Sequence, residues 1–255
     1  MRFASLGSGS RGNALIVEVS QTRILLDCGF TLRETIQRLA RLGIESDSLN
    51  AILVTHEHAD HVGGVGVLAR KFNLPVWVTH GTYSQANKTL QGLSSVHLFE
   101  THQRFSIGEI EISPFPVPHD AREPAQFVFS DGNFQLGVLT DTGCSTPHIE
   151  SMLSRCHALF LECNHDAEML QNGPYPSSLK QRVGGRLGHL DNVAAADVLC
   201  KLDTSLLQHI VAAHLSEKNN SPELARRALG RAINCSDEWI AVADQECGLA
   251  WRSVV

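Results

Sequence analysis

The stretch THEHADH at residues 55–61 limits what this chain can fold into more than any other. His56, His58 and His61 stand with Glu57 and Asp60 directly after the apolar run Ala51-Ile52-Leu53-Val54. Such a run, short and bounded by polar residues, reads as a buried strand. A charge cluster delivered at its end is costly to bury without a compensating ion. Neutral imidazole and carboxylate are the donors preferred by zinc, and they also suit manganese or iron. In H-x-H-x-D-H spacing on a loop leaving a strand, His56 and His58 can converge on one ion. Asp60 and His61 then turn toward a second. Two ions need more ligands than four residues supply, so further His or Asp is required at later strand ends. His119 in PFPVPHD, Asp141 in GVLTDTG and His214 in IVAAHLSE each stand where an apolar run stops. That is where α/β proteins place their chemistry. Glu57, lying between two ligands, is expected to point away.

The remaining pattern supplies the strands this scheme needs. Strands are expected at 3–6, 14–19, 23–27, 51–54, 76–78, 109–112, 126–130 and 134–140, then at 158–162, 209–213, 239–242 and 249–252. Asp131-Gly132-Asn133 is a hairpin signal. Helical spacing predicts helices over 31–42 and 63–72, from about 147, and over 192–202 and 222–232. Strands alternating with helices describe an α/β layered domain with its helices outside. No linker, low-complexity tract or repeat interrupts residues 1–255, which are expected to form one domain. With 43% hydrophobic and 19% charged residues, the composition is that of an ordinary soluble protein. No apolar stretch approaches the roughly 20 residues of a membrane span, and the opening MRFASLGSGSRGN lacks a signal-peptide core. Seven scattered cysteines with no C-x-x-C pair fit a reduced, cytoplasmic protein. A net charge of −6 gives no bulk attraction to nucleic acid, although bound divalent ions would reverse the local field.

The order of these elements resembles the metallo-β-lactamase fold. H-x-H-x-D-H is followed by an isolated His, then Thr140-Asp141-Thr142-Gly143, then a strand-end His. The early Leu25-Leu26-Asp27-Cys28-Gly29 is similar to that fold's LxDxG element, whose aspartate orders the metal loop. Within the superfamily the chain resembles the YycJ (WalJ) group of bacterial nuclease-like proteins. SLGSGSRGNALIVE, FLECNHDAEML, YPSSLKQRVGGRLGHLDN and AAHLSEKNNSPELA carry that likeness. The resemblance implies a four-layered αββα sandwich and a site laid out as in RNase Z and the phosphodiesterase of phosphonate metabolism. It also implies two divalent metal ions, zinc or manganese ahead of iron. His56, His58 and His119 would hold one ion, and Asp60, His61 and His214 the other, with Asp141 bridging both. Enzymes that open β-lactams with two zincs usually carry cysteine at the bridging place, so Asp141 argues against that chemistry.

The activity implied is 5′-to-3′ exonuclease action on DNA. Two close ions can hold a shared hydroxide at neutral pH and clamp a phosphodiester. Asp60 would orient that nucleophile. His189, in GHLDN, matches the place of the general-acid histidine in RNase Z-like enzymes. Ser8, Ser10, Gly12 and Asn13 can form an anion nest for phosphate, and Asn164 and His165 are candidates for substrate contact. The alternative is a thioester or small cyclic phosphodiester hydrolase on the same metals. A scaffolding protein that has lost catalysis is disfavoured by the intact ligand set. Only 72 residues separate Asp141 from His214, too few for the inserted domain of β-CASP enzymes.

Overall fold

Along the first strands, apolar residues occupy both faces. In the computed structural model, which describes residues 1–255, β1 (Arg2–Gly7), β2 (Ala14–Val19) and β3 (Thr22–Leu26) are buried almost throughout. Phe3, Leu15, Val17, Ile24 and Leu26 enter one core cluster, whereas Ala4, Ile16 and Leu25 enter another. Successive side chains of a strand point to opposite faces, so strands of this kind must be covered on both sides. Further strands β4 (Ala51–Leu53), β5 (Val76–Thr79) and β6 (Val96–Phe99) extend this sheet in parallel from β3.

The second sheet begins with the antiparallel run β7 (Phe105–Ile107), β8 (Ile110–Pro116), β9 (Ala125–Ser130) and β10 (Gln135–Leu139). It continues in parallel through β11 (Ala158–Glu162), β12 (His209–Ala213) and β13 (Ala241–Val242). The chain then returns to the first sheet, where β14 (Leu249–Ser253) pairs with β1. Each sheet has seven strands, antiparallel on one side and parallel on the other. Between them lies a core to which Phe3, Val17, Phe127, Phe129, Phe160 and Val211 all contribute.

Helices cover the outer faces. On the first sheet lie α1 (Leu32–Arg41), the single turn α2 (Ala59–Val62), α3 (Val65–Phe72), α4 (His80–Gln85) and α5 (Asn87–Leu90), with Leu39, Val65, Leu68 and Leu90 facing the sheet. A reciprocal pair of bonds between Thr31 and Glu34 starts α1. Near the second sheet come α6 (Pro147–Leu153), α7 (Ala167–Asn172), α8 (Ser177–Val183), α9 (Asn192–Lys201) and α10 (Pro222–Ala232). Ile149, Leu153, Val198, Leu199 and Leu229 of α6, α9 and α10 form its outer core. Helix, sheet, sheet, helix is the αββα order expected.

Two local expectations are corrected. Residues 239–242 are not one strand: a 3-10 turn over Asp237–Trp239 precedes the two-residue β13, which pairs only at Ala241 and Val242. The strand expected at 109–112 begins at Ile110 and takes in the apolar run leading to His119 as far as Pro116, because β9 pairs with it that far. For the site, one feature of the topology matters most. Strands β3, β4, β10, β11 and β12 all end at the same edge of the sandwich, and the polar residues gather there.

Phe127 is fully buried between Phe99 and Phe129, its ring centroid 5.7 and 6.0 Å from theirs. Truncating it leaves a cavity in the layer that joins the sheets. Phe127→Ala should lower the unfolding free energy by about 3–5 kcal/mol in urea denaturation. A loss under about 1 kcal/mol would show that this layer does not hold the sheets together.

Candidate metal centre

The loop after β4 is held from below by one carboxylate. Asp27 follows β3 in a left-handed conformation (φ 60°), which aspartate tolerates better than most residues. Its Oδ1 accepts from the Thr55 N–H at 2.8 Å, and its Oδ2 accepts from Thr55 Oγ1 at 2.8 Å. The same Oδ2 lies 2.8 Å from His61 Nδ1. Gly29 closes this seam: a Cβ there would sit 1.8 Å from the Asp60 carbonyl oxygen. Fixing a histidine by one ring nitrogen leaves the other as a lone-pair donor. His61 therefore presents Nε2.

The neighbouring histidines follow the same rule. His119 Nδ1 is 3.1 Å from the Gly188 carbonyl, and His56 Nδ1 is 2.9 Å from Thr55 Oγ1. Their Nε2 atoms then converge on His58 Nδ1, at 3.0 Å from His56 and 3.2 Å from His119. These three donors lie close enough together to hold an ion. Asp60, His61 and His214 make another such group: Asp60 Oδ2 lies 3.5 Å from His61 Nε2 and 3.6 Å from His214 Nε2. Asp141 stands between the two groups. Its Oδ2 is 3.0 Å from His61 Nε2, its Oδ1 is 3.2 Å from His214 Nδ1, and it groups with His56 as well as His61.

Although His61 Nε2 and Asp60 Oδ2 lie close by, Asp141 Oδ2 and His214 Nε2 are buried and neither makes a well-aligned hydrogen bond. A buried polar atom left without a partner costs about 1–3 kcal/mol, and more if charged. Two such atoms directed into one cluster of imidazoles and carboxylates fit a divalent cation. Asp141 and His214 also adopt left-handed backbone (φ 49° and 55°) as the chain leaves β10 and β12.

Electrostatics without metal describe a crowded site. Burial works against charge on His61, but Asp141, Asp60 and Asp27 outweigh it and raise its pKa well above the usual histidine value. His214 is raised to about 10, burial again opposing and Asp141 leading the carboxylates that win. His56 moves the other way, lowered by burial and by neighbouring His61. Asp141 is held well below the ordinary carboxylate range, because His214 and His61 overcome the penalty of burial.

Glu162 was not singled out in the sequence, yet it organises one wall. Fully buried at the end of β11, its Oε2 accepts from the Thr142 and Leu190 N–H groups at 3.0 and 3.2 Å. Its Oε1 lies 2.8 Å from His189 Nδ1 and 3.2 Å from His214 Nδ1. With both oxygens engaged, Glu162 acts as an anchor for two imidazoles. Burial raises its pKa, but His189 leads the effects that bring it down to about 2. The signal was available: Glu162 ends its strand as Asp141 and His214 follow theirs. Asp120 was missed too. Its carboxylate lies 3.5 Å from His119 and 3.8 Å from His58, and accepts from Arg182 Nε at 2.6 Å.

His189 lines a cavity of about 370 Å³ together with His58, Asp60, Asp141 and His214. Ser10 also lines it. The other expected substrate contacts lie elsewhere. Ser8 is buried, and its Oγ accepts from the His214 N–H at 2.9 Å. Asn13 is buried as well, accepting from the Gly9 N–H at 2.8 Å and donating to Asp60 Oδ2 at 3.3 Å. Asn164 donates to the His214 carbonyl at 3.0 Å. These three side chains hold the ligand-bearing loops, because their polar atoms meet protein partners before they reach the cavity. His165 opens instead onto a separate cavity beside Lys180 and Asp191. Asp191 caps α9 through the Ala194 N–H. Glu57 turns aside as expected, accepting from the Arg122 N–H at 2.7 Å.

If Asp27 orients His61, Asp27→Asn should keep the fold and lower metal affinity roughly 10–100-fold, read by competition with a chromophoric chelator. Unchanged affinity would remove Asp27 from the metal-ordering role.

Comparison with known proteins agrees with this geometry. The Beta-lactamase superfamily domain matches residues 22–214. Exodeoxyribonuclease YycJ of Bacillus anthracis is 35% identical over 235 residues, covering 91% of this chain and 89% of that protein. Exodeoxyribonuclease WalJ of Streptococcus pneumoniae is 34% identical over 246 residues, covering 94% and 91%. Zn(2+)-bound PqqB from Methylobacterium extorquens superimposes with a TM-score of 0.78 at 17% identity, over 99% of this chain and 100% of that one. The chain belongs to the beta-lactamase superfamily of metallo-β-lactamase fold, and within it to the group of the YycJ and WalJ proteins.

Proposed function

We propose that the chain is a dinuclear metal-dependent phosphodiester hydrolase that degrades DNA as a 5′-to-3′ exonuclease. The observation that carries this reading is the His189–Glu162 pair on the wall of the ligand-lined cavity. A phosphodiester needs a proton donor for its departing alkoxide, and this pair supplies one beside both ligand clusters. The names of the two relatives support DNA as the polymer. The 5′-to-3′ direction rests on the likeness to the YycJ group.

His56, His58 and His119 would hold one ion and Asp60, His61 and His214 the other, with Asp141 shared. Bound there, divalent ions supply Lewis acidity toward the phosphate and lower the pKa of water to near neutral. Asp60, with its side chain 25% exposed, reaches the cavity and can accept a hydrogen bond from the attacking water. His189 is 21% exposed, with Nδ1 fixed on Glu162 and Nε2 left for the substrate's leaving oxygen. Burial disfavours its charge, but Glu162 outweighs burial and raises its pKa above the usual histidine value. An imidazolium stabilised in this way can deliver its proton as the P–O bond breaks.

The test uses zinc- or manganese-reconstituted protein with DNA and RNA duplexes labelled at either end. Mononucleotides should be released from 5′-labelled DNA, and Asp60→Asn should abolish their release. His189→Ala should lower kcat on DNA by about 10²–10⁴-fold, and by much less on a diester whose leaving group is p-nitrophenolate. Equal losses on both substrates would remove His189 as the acid. With both metals bound, failure to cleave any polymer would overturn the nuclease reading and turn attention to thioesters.

A further inference from the structure

The cavity above the ligand cluster is two-sided. Its floor is imidazole and carboxylate, but one wall carries Tyr175, Leu179 and Val183, all from the segment 173–183. Apart from imidazoles, Tyr175 is the only aromatic ring on the lining, and it is one of two tyrosines in the chain. Its local sequence is Gly173-Pro174-Tyr175-Pro176. Proline fixes its own φ and restricts the residue before it, so two prolines flank the ring with stiff backbone. Pro176 stands immediately before α8. Arg182, on that helix, bonds Asp120 at 2.6 Å and ties the wall to the loop of His119. The ammonium of exposed Lys218 lies 5.7 Å from the Tyr175 ring centroid, within cation–π range.

A thioester or a bare phosphate diester has no need of a rigid aromatic shelf beside an anion-binding floor. A nucleotide does, because its phosphate and its base have opposite demands. At about 370 Å³ the cavity lies within the ligand-sized range of about 300–1,000 Å³. We infer that Tyr175 is the stacking platform for the nucleobase next to the scissile phosphate, with Lys218 adding positive charge at the rim. Stacking tolerates any base, since every base has a π face. The shelf thus selects nucleic acid without selecting sequence. This inference rests on the phosphodiesterase reading of the floor and names what the wall adds to it.

The test separates the two. Binding of thymidine 3′- and 5′-monophosphate is measured by calorimetry on metal-reconstituted protein, with 2-deoxyribose 5-phosphate as the base-less control. The tighter nucleotide should exceed the control by roughly ten-fold in the unaltered protein. Tyr175→Phe keeps the ring and should keep the ratio, whereas Tyr175→Ala should bring it close to one. An unchanged ratio in Tyr175→Ala, or no preference in the unaltered protein, would overturn the shelf. A Tyr175-dependent preference without cleavage of any polymer supports the shelf and removes the nuclease reading. DNA cleavage without such a preference does the reverse.

Discussion

Asp27 connects the fold to the chemistry. At 3% exposure, between two sheets, its carboxylate takes bonds from Thr55 twice and from His61 once. That single group sets the exit angle of the loop after β4 and the ring orientation of its last histidine. Around it the backbones interlock: the Asn13 N–H donates to the Asp60 carbonyl, the Cys28 N–H to that of His61 and the Gly29 N–H to that of Asn13. The ligand loop is therefore shaped by strands that carry no ligand. This is preorganisation in the ordinary sense: the cost of ordering is met in folding, before an ion or a substrate arrives.

The arrangement also resolves an electrostatic problem. Asp27, Asp141 and Glu162 are buried at one edge of the sandwich within reach of His56, His61 and His214. Without metal, protons on the raised His61 and His214 balance part of that charge. Divalent cations can take over the same balance, since ligation requires neutral imidazole and the carboxylates then face the ion. The net charge of −6 does not describe the cavity. Metal on its floor, with Arg182 on its wall and Lys218 beside Tyr175, would make it locally attractive to a polyanion.

Much of this was legible in the sequence, and for physical reasons. His56, His58, Asp60, His61, His119, Asp141 and His214, which the fold brings together, could be picked out because buried strands announce themselves as apolar runs and their ends are discrete. The long strands and amphipathic helices were visible by the same logic. The helices α4, α5 and α7, of four to six residues, span less than two helical turns and do not register, and β6 and β7 lack a sustained apolar run. Side-chain direction was the other blind spot. SGSRGN has the residue types of an anion nest, and only the fold turns Ser8 and Asn13 inward while leaving Ser10 on the cavity. Glu162 was overlooked as the last residue of an apolar run, though the rule that found Asp141 applies to it without change.

The most direct test of this account is anomalous-scattering crystallography on protein loaded with zinc or manganese. Two ions are expected, one at bonding distance from His56, His58 and His119 and the other from Asp60, His61 and His214, with Asp141 reaching both. For zinc those bonds should be about 2.0–2.2 Å. A single ion, or ions held away from Asp141, would contradict the two-metal centre on which the proposed chemistry stands.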